Sequence, residues 1–178
     1  DIATQFVQQD RGDLILDWAA WARHHPEMRR RILVAGLVWV ASAPYAPRRE
    51  ELAALTAALD EPGQRTLAGC LIRRRGTELR ITREFSAVRD LTAPTDRPWD
   101  GRWQLDGPHD PALHVAALGE AGLQLCPDWR DSGLPWASLL ASPAVWQAGR
   151  LIAAPLAGFN PRWSARIVAD FHDRLLSH

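Results

Sequence analysis

The chain has 178 residues, enough for one domain or two small ones, and its hydrophobic fraction of 47% suits a folded globular protein. The formal charge is zero, all 21 basic residues are Arg, and there are two cysteines. This composition excludes a disulfide scaffold, a lysine Schiff base, a phosphate-loop lysine and a Ser-x-x-Lys nucleophile, and no apolar run is long enough to span a membrane as a helix.

The chain opens Asp1-Ile2-Ala3-Thr4-Gln5, without Met and without a basic-then-apolar leader, so it is expected to be part of a longer protein. Asp10-Arg11-Gly12-Asp13 reads as a turn, Leu14–Leu16 as a short strand and Trp18–His24 as a helix. Pro26 suits a first helical position, where its missing N–H costs nothing. The helix from there is predicted to reach Ala41, with Met28, Ile32, Ala35, Trp39 and Val40 on one face and Leu33 and Leu37 widening it. A second helix is predicted from Pro47 to Leu59, with Leu52, Leu55 and Leu59 as its apolar stripe. Thr66–Arg73 and Glu78–Arg83 read as a β-hairpin around Arg74-Arg75-Gly76-Thr77.

Residues 90–98 (Asp90 to Pro98) read as a linker. Beyond them, short strands are predicted at Arg102–Leu105, His114–Leu118, Val145–Gln147 and Leu151–Ala154, with a short helix at Asp128–Ser132 and a turn at Trp136–Leu140. A last helix is expected from Asn160-Pro161, with Trp163, Ile167, Phe171 and Leu175 spaced by four. The expected fold is therefore α+β: a helical unit with a β-hairpin over about 10–90, then a small β-rich unit over 97–178 that ends in a helix.

The charge is uneven. Residues 23–89 carry thirteen Arg and seven acids, whereas 90–178 carry seven Arg and ten acids. The basic middle falls at Arg29-Arg30-Arg31, at Arg48-Arg49, and at Arg73-Arg74-Arg75 with Arg80. Arginine in a first helical turn opposes the helix dipole, at a cost of about 0.3–1 kcal/mol per charge. A phosphate at the helix N-terminus would offset that cost. These nine arginines are the candidate RNA contacts. Three consecutive arginines fan over about 200° of a helix, so at least one of 29–31 is expected to lie along the apolar edge with its stem buried. The basic hairpin has no aromatic before Phe85, which fits contacts to phosphate and duplex shape rather than base reading. Six of the nine tryptophans fall in the acidic C-terminal half, where they are expected to build a core.

No catalytic motif is visible: Gly-x-x-x-x-Gly-Lys, Gly-x-Gly-x-x-Gly, Gly-x-Ser-x-Gly and His-Glu-x-x-His are all absent. Catalytic residues and metal ligands are accordingly expected to be none. His24 and His25 are expected to cap and solvate a helix start. Cys70 and Cys126 are expected to be buried thiols.

The order of several short motifs resembles the region after the catalytic domain of bacterial tRNA(Ile)-lysidine synthetases. They are Leu14-x-Leu16-Asp17-x-Ala19-Ala20, Arg29-Arg30-Arg31-Ile32-Leu33 with Trp39, and Pro47-Arg48-x-x-x-Leu52-x-x-Leu55. Gly69-Cys70-x-Ile72-Arg73-Arg74 and Leu79-x-Ile81 follow. Pro127-Asp128-Trp129-Arg130-Asp131-Ser132-Gly133-Leu134-Pro135 and Gly149-Arg150-Leu151-Ile152-Ala153-Ala154-Pro155 resemble a diverged form of the last domain. The resemblance spans nearly the whole chain.

Enzymes of this family use ATP to attach lysine to the wobble cytidine of a minor isoleucine tRNA, with a Ser-Gly-Gly-x-Asp-Ser loop in an N-terminal PP-loop domain. This chain has no such loop. The resemblance thus implies residues 1–22 as the end of a linker from the catalytic domain, 10–90 as the tRNA-recognition domain and 97–178 as the last domain. It implies tRNA(Ile) as partner, no cofactor in this segment, and ATP with Mg and lysine handled by the missing domain. It further implies a cytoplasmic location, no membrane, and an oligomeric state left open, a homodimer included. Relatives carry a basic stretch before the short helix of the last domain; here Leu123-Gln124-Leu125-Cys126-Pro127 stands in its place. The rival reading is a structural or dimerisation module whose arginines are merely solvated. A free-standing hydrolase ranks below both.

Overall fold

The computed structural model describes residues 5–176. The fold is α+β, with antiparallel sheets throughout. The chain divides into two compact units, one of residues up to 83 joined by those from 169 onward, the other of residues 84–168.

In the first unit β1 (Val7–Asp10) and β2 (Asp13–Asp17) form a hairpin, followed by α1 (Trp18–Ala22), α2 (Pro26–Ala41) and α3 (Arg49–Ala58). β3 (Gly63–Leu67), β4 (Cys70–Arg75) and β5 (Glu78–Arg83) complete a five-stranded sheet in the order β1-β2-β5-β4-β3. β2 pairs β5 with Leu14 opposite Ile81 and Leu16 opposite Leu79, and β4 places Ile72 opposite Ile81. These side chains share one face, and all are at most 1% exposed. α2 covers that face with Ile32, Leu33, Leu37 and Val40. Gly36 lets the helix approach closely, since a Cβ there would lie 3.2 Å from Ile81 Cδ1 and from Leu14 Cδ1.

The predicted single strand 66–73 is in fact two. Ala68 and Gly69 both take positive φ (52° and 78°) and form a two-residue turn, so β3 folds back on β4. β4 then runs through Arg75, and the hairpin turn is Gly76-Thr77 alone. β1 has no counterpart in the sequence prediction, and β3 only in its last two residues, Thr66 and Leu67.

In the second unit come α4 (Phe85–Val88), β6 (Ala93–Pro94), β7 (Trp103–Asp106), β8 (His114–Ala117), α5 (Gly119–Leu123), α6 (Trp136–Leu140), β9 (Pro143–Gln147), β10 (Arg150–Ala153) and β11 (Ser164–Ile167). One sheet is ordered β10-β9-β8-β6 and a second pairs β11 with β7. Trp99, Trp103 and Trp163 join Leu105, Val115 and Val145 in its core. Residues 90–98, expected as a linker, instead supply strand β6 to the sheet and a buried Thr95.

The last helix is shorter than expected. Asn160 takes φ 63°, which a helix N-cap does not, and its Oδ1 accepts from the Arg162 N–H at 3.1 Å, an Asx turn. Ser164–Ile167 is a strand, and only α7 (Phe171–Leu176) is helical. α7 belongs to the first unit: Trp39 donates to Ala169 O at 2.8 Å and stands edge-on to Phe171, while Gln9 Oε1 accepts from the Phe171 N–H at 3.0 Å.

Candidate nucleic-acid interface

The nine candidate arginines divide by what their guanidinium groups already touch. Because β4 is extended through Arg75, successive side chains alternate, and Arg73 and Arg75 leave the sheet on one face while Arg74 leaves on the other. Arg74 turns toward the helices. Its Nη1 donates to Leu59 O and Asp60 O, both at 2.7 Å, and its Nε donates to Gly76 O at 3.2 Å. Its guanidinium lies 3.6 Å over the Trp18 ring. It therefore supplies a cation to the C-terminal carbonyls of α3, whose last turn has no basic residue of its own.

Arg80 stands opposite Arg73 and Ile15 on the outer face of the sheet. Its side chain is 11% exposed and pairs with Asp13 at 2.6 Å and Asp10 at 3.2 Å. Burial works against the charge, but the carboxylates outweigh it and the guanidinium is held more firmly protonated than usual. The strand registers place Asp10, Asp13, Asp17 and Glu78 on this same face. Three arginines thus meet four acids, and the hairpin face carries no net positive charge.

Arg48 and Arg49 open α3 and are exposed. Glu50 and Glu51 follow at once, and Glu51 Oε2 accepts the Arg48 N–H at 3.0 Å. The two acids balance both the helix dipole and the arginines.

The junction of α1 and α2 is different. Between Arg23 and Arg31 there are four arginines and one acid, Glu27, a net of three positive charges with neutral histidines. His25 is the N-cap of α2, its Nδ1 accepting the Glu27 N–H at 3.2 Å, and Pro26 takes the first position. Arg29 lies across Trp21, 5.4 Å from the ring centroid, and Trp21 Nε1 donates to Arg29 O. This is the arginine whose stem was expected along the apolar edge. Arg30 grips Glu27 with two bonds, Nη2–Oε1 at 2.8 Å and Nε–Oε2 at 3.0 Å, and Arg31 Nε reaches Oε1 at 3.2 Å. These bonds, Arg30's first, pull the Glu27 carboxyl down to about 2. The Arg31 side chain is 70% exposed. Arg23, at the C-cap of α1, is exposed too. It was missed in the sequence because it stands apart from the Arg triplets; the signal was its place three residues before a helix that itself starts with arginines.

No cluster of three metal-ligating side chains occurs among the described residues. A cleft of about 660 Å³ in the second unit is lined by Thr95, Arg97, His109 and His114, with Asp96 and Asp110. Thr95 Oγ1 lies 3.0 Å from His109 Nδ1, and Thr95 is 3% exposed. Cys70 and Cys126 are buried free thiols, and burial pushes the Cys126 thiol up. In the stretch from Leu123 to Arg130, Leu125 is exposed, and the first arginine, Arg130, lies 4.4 Å over Trp129.

No protein-family model matches the chain. Against curated proteins it is 42% identical, over 179 aligned positions and 99% of its length, to the tRNA(Ile)-lysidine synthase of Ruegeria pomeroyi. It spans 43% of that relative's length. The likeness carried by the short motifs therefore holds across essentially the whole chain, and over less than half of the relative.

Proposed function

We propose that this chain is the C-terminal, tRNA-holding part of a tRNA(Ile)-lysidine synthetase, the cytoplasmic ATP-dependent ligase that joins lysine to the wobble cytidine of a minor isoleucine tRNA. On this reading ATP with Mg and the lysine substrate belong to the catalytic domain, whose Ser-Gly-Gly-x-Asp-Ser loop this chain lacks, and the chain alone forms no lysidine. Its part is to hold the tRNA so that the anticodon meets the active site. Binding energy far from the reacting centre lowers the barrier by fixing orientation.

The observation that carries this reading is the net charge at the start of α2, where Arg30 and Arg31 surround one carboxylate and the exposed Arg23 stands three residues before the helix. Arg73, Arg75, Arg48 and Arg49 are secondary contacts on faces where acids cancel their field. Arg29, Arg74 and Arg80 are held by Trp21, by the α3 carbonyls with Trp18, and by Asp10 with Asp13, and serve the fold.

The test is steady-state kinetics of the full-length protein with Arg30 and Arg31 both replaced by Gln. The KM for tRNA should rise by about tenfold, as the loss of a charge-assisted contact of roughly 1.5 kcal/mol requires. The KM for ATP should stay within twofold. Equal rises in both, or no change in either, would contradict a tRNA-specific role and favour the solvated or dimerising alternative.

A further inference from the structure

We infer that Glu27 is a positioning residue for RNA phosphate, holding Arg30 and Arg31 as a fixed two-guanidinium cradle; this rests on the tRNA-binding reading above. A surface arginine is long and rotamer-rich, and ordering each one at an interface costs about 0.5–1.5 kcal/mol. At the start of α2 that ordering is done in advance. One carboxylate accepts three bonds, two from the fork of Arg30 and one from Arg31 Nε. Arg30 is left with Nη1 and the outer hydrogen of Nη2, Arg31 with both Nη groups. These donors are fixed in direction without being consumed.

The base of the cradle is equally constrained. Glu27 is the second residue of α2, its N–H is tied to His25 Nδ1, and Pro26 before it fixes φ. Arg29 is drawn aside onto Trp21, which keeps the third guanidinium of the triplet away from the pair. The acid costs one unit of positive charge at a surface whose purpose is to attract a polyanion. A first-turn acid also suits the helix dipole, but only Glu27's bonds to both guanidinium groups set the direction of the remaining donors.

The two accounts predict opposite signs. Replacing Glu27→Gln adds one net positive charge. If attraction alone matters, tRNA binds more tightly. If Glu27 positions the arginines, the affinity of the folded protein falls about two- to tenfold for each arginine released, despite the added charge. Arg30→Lys keeps the charge but loses the fork, and should weaken binding nearly as far as Arg30→Gln. Titrations of the full-length protein with minor isoleucine tRNA, with thermal melts to confirm folding, decide the matter. Weakened binding in both E27Q and R30K supports the cradle. Tighter binding in E27Q, wild-type affinity in R30K, or a lowered melting temperature with unchanged affinity overturns it. If Arg30→Gln with Arg31→Gln leaves tRNA affinity untouched, the tRNA reading itself fails, a distinct outcome from E27Q tightening while the arginines still count.

Discussion

Replacing Arg74 by Ala should destabilise the protein without removing a phosphate contact. The side chain joins three elements: the C-terminal carbonyls of α3 at Leu59 and Asp60, the hairpin turn at Gly76, and the Trp18 ring of α1. A hydrogen bond from a charged donor contributes about 1.5–3 kcal/mol, and stacking of a cation on an aromatic ring about 0.5–2 kcal/mol. The contacts share one half-exposed group and do not add, so about 2–3 kcal/mol is expected for the whole side chain. For a chain of this length that lowers Tm by roughly 4–12 °C. The assay is thermal unfolding followed by circular dichroism. Arg74→Lys should recover only part of the loss, because an ammonium cannot bond two carbonyls and Gly76 O while lying flat on the ring. A Tm change under about 1 °C, together with a drop of about 0.7–0.9 in the salt slope of tRNA binding, would refute the structural role and make Arg74 a phosphate ligand.

Trp99 is wholly buried and donates to Leu91 O at 2.9 Å, so Trp99→Ala should cost about 3–5 kcal/mol, read as a collapse of the second unit's denaturation midpoint. Gly107→Ala would place a Cβ 2.3 Å from the Trp163 ring and should destabilise by about 1–3 kcal/mol in a thermal melt; an unchanged melt would show that the ring moves freely. The Glu27 carboxyl titrates at about 2 rather than its ordinary 4.5. Because the folded value is the lower one, the pairing contributes stability above the ordinary value and loses it as pH falls from about 4.5 through about 2. A carbon-detected NMR titration of Glu27 should place its midpoint near 2, and a midpoint near 4.5 would mean that the arginine pairs do not persist in solution.

α2 was legible to the residue, because Pro26 marks its start and Ile32, Leu33, Leu37 and Val40 repeat at the helical period. Other elements hid for physical reasons. β3 is exposed along nearly its whole length, so no alternation announces it. β6 is two residues long at a sheet edge, the one place where a proline such as Pro94 fits a sheet, and its composition reads as loop. Trp163, Ile167 and Phe171 recur every four residues, which suits a helix face and equally one side of a strand, and here the first two belong to a strand region. At the candidate site the basic segments stood out in the sequence, but their partners did not. That Arg80 is cancelled by Asp10 and Asp13 depends on a pairing across 67 and 70 residues. That Arg74 turns away from Arg73 and Arg75 follows from β4 extending past the predicted turn.

The most direct measurement of the central claim is the salt dependence of tRNA binding for the wild type and for the protein with Arg23, Arg30 and Arg31 all changed to Gln. If these three meet phosphates, log K falls linearly with log salt and the triple substitution flattens the slope by about 2–3, at roughly 0.7–0.9 per phosphate. The same slope in both proteins, with folding intact, would contradict a tRNA-holding role for the start of α2.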